Sequence, residues 1–82
     1  MGLFKALGRL TAQGVNNGYT NSRVNGASAK AYKQTGREIQ SAKKEGRWVN
    51  GSTAHKRNKS ANIRTAKQNS RTRSKFIDDI FD

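Results

Sequence analysis

The chain has 82 residues, with 17 Lys and Arg against five Asp and Glu, and a formal net charge of +12. Leu, Ile, Val and Phe make up about a sixth of it, below the level at which a highly charged chain buries enough apolar surface to order itself unaided. The absence of cysteine and a single histidine, His55, exclude disulfides, thiolate chemistry and an ordinary zinc site. No Walker A loop, GxGxxG, HExxH or nucleophile elbow is present, so neither catalysis nor a cofactor is expected. No apolar run approaches a transmembrane span, and the N-terminus lacks a signal-peptide core. Ala6 stands where a myristoylation signal requires Ser or Thr. The expected class is mainly α: a small helical hairpin-like or extended basic protein with flexible Gly/Asn connectors, ordered largely by its partner.

Residues 1–13 read as a short amphipathic helix. Leu3, Phe4, Leu7 and Leu10 recur at helical spacing, with Lys5 and Arg9 projecting from the other side. The stripe suits packing on the rest of the chain, docking on a protein partner, or lying on a membrane surface. Residues 14–26 read as a polar linker, because Asn16-Asn17-Gly18, Asn21-Ser22 and Asn25-Gly26 are turn signals. Tyr19 and Arg23 within it have two readings: they touch a base and a phosphate, or they are plain surface residues of a loop.

Residues 27–49 carry the best helical pattern. Ala31, Tyr32, Thr35, Ile39 and Ala42 share one side, while Lys30, Lys33, Arg37 and Lys44 gather on another. Glu38 and Glu45 lie off that basic arc and suit local ion pairs. Trp48 has two readings: it stacks on an exposed base, or it anchors a helical hairpin against Ile39 and Tyr32. Trp48 to Ser52 reads as a turn, with Asn50-Gly51 supplying positive φ and Ser52 or Thr53 capping the basic segment after it.

Residues 50–75 form a basic arm or helix. Eight cations and no acid fall here, and Ile63 is its only large aliphatic side chain. On a helix Arg57, Arg64 and Arg71 line up at intervals of seven, Lys75 continues the line, and Lys56 and Lys67 flank it. Arginine grips phosphate through two parallel hydrogen bonds, which lysine cannot do. Residues 76–82 then reverse the character of the chain, combining Phe76, Ile77, Ile80 and Phe81 with three of the five acids. This tail either inserts its apolar side chains into a protein partner or folds back onto Leu3, Phe4 and Leu7.

These patterns point to a non-catalytic, sequence-indifferent nucleic-acid-binding protein. Lys30, Lys33, Arg37, Lys44, Arg57, Arg64, Lys67, Arg71 and Lys75 would meet the phosphates of DNA or RNA. The tail would meet a protein of a larger assembly. In composition the chain is similar to small basic proteins found inside virus particles and to basic ribosome-associated proteins, although no motif carries the likeness. A virion interior or the cytoplasm is the expected setting. The alternatives are a cationic membrane-active protein led by residues 2–10, and a ribosome-associated or adaptor protein.

Overall fold

The computed structural model describes residues 2–82. Three helices run in order: α1 (Gly2–Asn25), α2 (Ala27–Lys44) and α3 (Gly51–Ile80). The protein is mainly α, with no strand among the described residues. α1 and α2 make a single outward arm. Gly26 between them keeps right-handed helical geometry (φ −83°, ψ −4°). The backbone ladder runs through it, Gly26 N–H donating to Ser22 O at 3.0 Å and Lys30 N–H to Gly26 O at 3.1 Å. α3 returns antiparallel beside both helices, giving a rod of 64 × 18 × 15 Å. Among the described residues no helix is long and apolar enough to cross a membrane.

The arm ends at Lys44, five residues before the boundary the periodicity predicts, and the backbone bonds explain why. Gly46 adopts φ +71°. Its N–H donates to Lys43 O at 3.1 Å, and Arg47 N–H donates to Ala42 O at 2.7 Å. This paired closure of the last turn is the Schellman motif, which favours glycine at the left-handed position. Lys43 and Lys44 place positive charge at the same end, where the helix dipole favours it. The left-handed residue is therefore Gly46, while Asn50 keeps an extended backbone (φ −75°, ψ 106°) and caps α3. Its Oδ1 accepts from Thr53 N–H at 3.2 Å, so the cap is Asn50 and neither Ser52 nor Thr53. Trp48 is 83% exposed and does not anchor the hairpin.

The polar stretch 14–26, which reads as a linker, is helical up to Asn25. Its residues have weak helix propensity, so tertiary bonds decide the outcome. Asn16 Nδ2 donates to Ser70 O at 3.1 Å. Arg73 Nε donates to Asn16 Oδ1 at 2.7 Å and Arg73 Nη2 to Thr20 Oγ1 at 3.3 Å. Asn16 and Thr20, polar groups that would otherwise favour a turn, are thus bound across the hairpin, and no proline interrupts the ladder.

The seam between the arm and α3 is thin. Its buried apolar residues are all alanines, namely Ala27, Ala31, Ala42, Ala54 and Ala66. Small side chains let the backbones approach closely but supply little hydrophobic free energy. Amides complete the seam: Asn58 Nδ2 donates to Thr35 Oγ1 and Glu38 Oε1, each at 3.1 Å. Asn62 Nδ2 donates to Ala27 O at 3.3 Å and Gln34 Oε1 at 3.1 Å. His55 stacks on Tyr32 with ring centroids 4.1 Å apart. Along the arm, Asn16, Ala27 and Glu38 recur eleven residues apart on the buried or half-buried side, as do Thr20, Ala31 and Ala42. An eleven-residue period keeps two helices in contact with little or right-handed coiling, where a heptad would wind them left-handed.

Candidate nucleic-acid interface

The hairpin turns the predicted cations outward. Lys30, Lys33, Arg37 and Lys44 are exposed along α2, and Arg57, Arg64, Lys67, Arg71 and Lys75 are exposed along α3. The cross-hairpin bonds Thr35–Asn58 and Ala27–Asn62 set the first row level with Arg57 and Arg64. Lys67, Arg71 and Lys75 continue beyond Gly26, alongside α1, where Asn16 bonds Ser70. At the helical rise of 1.5 Å per residue the two rows span about 21 and about 27 Å. They lie on different helices and do not converge on one point. Each spans many phosphate spacings of a duplex, whose charges recur every ~1.7 Å of axis.

Among the described residues only three arginines have carboxylate partners. Arg9 meets Asp78 at 2.8 Å, Arg47 meets Glu45 at 2.5 Å and Arg57 meets Glu38 at 2.6 Å. The partner of Glu38 therefore lies across the hairpin and is a member of the α3 row. All three pairs are substantially exposed, so their contribution to stability is small. With 17 Lys and Arg against five acids, the rod stays strongly cationic.

The apolar ends of the chain meet only in part. Phe81 is half-buried, and its ring passes so close to Gly8 that a Cβ there would sit 2.7 Å from it. Asp78 receives Arg9 Nε at 2.8 Å and Gln13 Nε2 at 3.2 Å. Two acids near the C-terminus of a helix oppose its dipole, and the cross-hairpin pair offsets this for Asp78. Ile77 is half-buried, whereas Phe76 and Ile80 are exposed. Leu3, Phe4, Leu7 and Leu10 are exposed as well. The side of α1 that faces α3 carries Arg9, Gln13, Asn16 and Thr20, and its apolar stripe faces solvent.

Three residues missing from the predicted cationic rows form a cluster of their own. Arg23 donates to Tyr19 Oη from Nε at 2.9 Å and from Nη2 at 2.6 Å. The guanidinium carbons of Arg23 and Arg73 lie 5.0 and 4.7 Å from the centre of the Tyr19 ring. Tyr19 and Arg23 are four apart, the spacing of neighbours on a helix face. Reading 14–26 as a linker hid that signal. Arg73 falls off the Arg57–Arg64–Arg71 line and turns towards the seam. No group of three His, Cys, Asp or Glu side chains that could hold a metal occurs among the described residues. Comparison with family models finds none that matches the chain, and neither curated proteins nor solved structures provide a match.

Proposed function

We propose that this chain is a non-catalytic nucleic-acid-binding protein that neutralises phosphate inside a larger assembly, with little preference for sequence. The supporting observation is the pair of exposed cationic rows on the outer sides of a rod whose acids are too few to neutralise them. The rows hold flexible lysines and arginines spread over about 21 and about 27 Å of helix, which suits contact with the sugar–phosphate backbone. A particle that packages a genome is the assembly we favour, since charge neutralisation of packed nucleic acid asks for a short cationic chain. The exposed apolar residues at the two chain ends would hold it to a protein of that assembly.

Binding to duplex and single-stranded nucleic acid across a salt series tests the reading. With about six to ten phosphates engaged, log K falls against log salt with a slope of about −5 to −9. Affinity that stays constant from low to physiological salt would overturn it. A second reading, attachment to a membrane surface, is favoured by one observation, the solvent-facing stripe Leu3, Phe4, Leu7 and Leu10 beside Lys5. Flotation with zwitterionic liposomes in the absence of nucleic acid distinguishes the two, because charge alone does not hold the chain to them.

A further inference from the structure

We infer that a cavity beside the Gly26 junction holds one unpaired nucleotide of a single-stranded nucleic acid, its phosphate against Arg23, Lys30 and Arg73 and its base against Asn62 and Asn69. This rests on the nucleic-acid reading above and deepens it, moving from two diffuse rows to a located site.

The cavity measures about 600 Å³ and is walled by all three helices. That volume lies in the range of small-molecule sites and is far roomier than a lone phosphate requires. Three of its lining residues are cations and none is an acid. Among the described residues every Lys and Arg other than Arg73 is exposed. Arg73 is half-buried, yet its acceptors are the neutral Asn16 Oδ1 and Thr20 Oγ1. A cation drawn out of water without a counter-charge is stabilised by an anion brought to it.

The site is also held in shape before any ligand arrives. Tyr19 lies within 5.0 Å of both guanidiniums and accepts two hydrogen bonds from Arg23, so both arginines are restrained. Restraining them beforehand lowers the ordering cost of binding. Guanidinium planes both grip phosphate and stack on bases. Asn69 makes no side-chain hydrogen bond among the described residues, and Asn62 uses only its Nδ2. An amide with free donor and acceptor groups suits the polar edge of a base. A splayed single-stranded base can swing into a recess between helices, whereas a base held in a duplex stack cannot.

The test uses the full chain and a Thr65→Leu/Asn69→Leu double variant. Both residues line the cavity and both are exposed, so the variant fills the space without altering charge or the seam. Helicity by circular dichroism verifies that it folds. Fluorescence anisotropy then compares a single-stranded 15-mer with its duplex at one salt concentration. The single strand should bind the variant about tenfold more weakly, the scale of one lost base stack, and the duplex within about twofold of wild type. In the wild-type protein, the Asn69 side-chain amide and the Tyr19 ring resonances should shift on adding the single strand and stay in place with inorganic phosphate. Equal losses for both nucleic acids, no loss for either, or the same shifts with inorganic phosphate would each overturn the nucleotide site while leaving backbone binding by the rows intact. If the wild-type chain binds neither nucleic acid at low salt, the wider reading fails with it.

Discussion

From Ala27 to Ala42, the arm meets α3 through buried alanines, joined by the amides of Asn58 and Asn62 and the Arg57–Glu38 pair. From Gly8 to Thr20 it meets α3 through amides, hydroxyls, an ion pair and the edge of Phe81. The half nearest the turn buries its alanines, although Tyr32 and Trp48 stay exposed. The half nearest the chain ends leaves Leu3, Phe4, Leu7, Leu10 and Val15 in solvent while polar groups make most of the seam. Hydrogen bonds between helices fix register and direction but contribute only modestly to net stability. The end half is thus held mostly by polar groups, while those five apolar side chains stay exposed. The turn half is committed to the hairpin, and its outer faces are left to charge.

The largest effect expected from this division concerns the chain ends. On the proposed function, deleting residues 76–82 should abolish incorporation into the assembly, because Phe76 and Ile80 are lost together with Ile77 and Phe81. Each such side chain is worth roughly 1.5–3 kcal/mol when fully buried. Nucleic-acid affinity of the free protein should hold or rise, since three acids leave with the tail. Quantifying the truncated chain in purified assemblies, beside a binding assay, checks both halves of the claim; incorporation at the wild-type level would mean that the ends are not a docking surface.

The alanine seam is the next place to strike. Ala31 is 0% exposed. An Ala31→Leu change should force the helices apart and lower the stability by about 1–3 kcal/mol. Ala29→Leu, on the exposed side of the same helix, is the control and should melt like wild type. Similar thermal melts for the two variants would show that close alanine packing does not hold the turn half.

The polar seam of the end half should yield a somewhat smaller loss. Asn16 is 5% exposed and serves both Ser70 and Arg73. Asn16→Ala should cost about 1–2 kcal/mol by leaving those partners unsatisfied. Amide hydrogen exchange should report the loss mainly between residues 8 and 25, with α2 less affected. Faster exchange spread evenly over the arm would erase the distinction between the halves.

Two smaller effects complete the series. Gly46→Ala should destabilise the hairpin by about 1 kcal/mol, because alanine must adopt the left-handed φ that closes α2. Gly26, which has a right-handed φ, carries no such demand. A double-mutant cycle on Arg9 and Asp78, whose side chains are 46% and 44% exposed, should return a coupling below about 1 kcal/mol that fades as salt is added. A large, salt-independent coupling would assign the end half to its ion pair instead of to its amides.

The amino-acid sequence alone determined the helical class and the charge of the chain, whereas the turn expected at Trp48 to Ser52 begins earlier, closing α2 at Gly46. Lysine, arginine, alanine and glutamine at helical spacing persist in any packing, and the charge of the chain does not depend on its fold. Lys30, Lys33, Arg37 and Lys44, with Arg64, Lys67, Arg71 and Lys75, point outward because a row of unpaired like charges has nowhere to be buried. Tertiary structure decided the rest. Residues 14–26 became helix because Asn16 and Thr20 found partners on α3, 54 and 53 positions away, beyond the reach of any local propensity. The same pairing turned the polar side of α1 inward and its leucines outward, since two helices that meet through amides must place their apolar stripes elsewhere. It also brought Arg73 against Tyr19 and Arg23, a juxtaposition of residues 54 and 50 positions apart that only the folded antiparallel path creates.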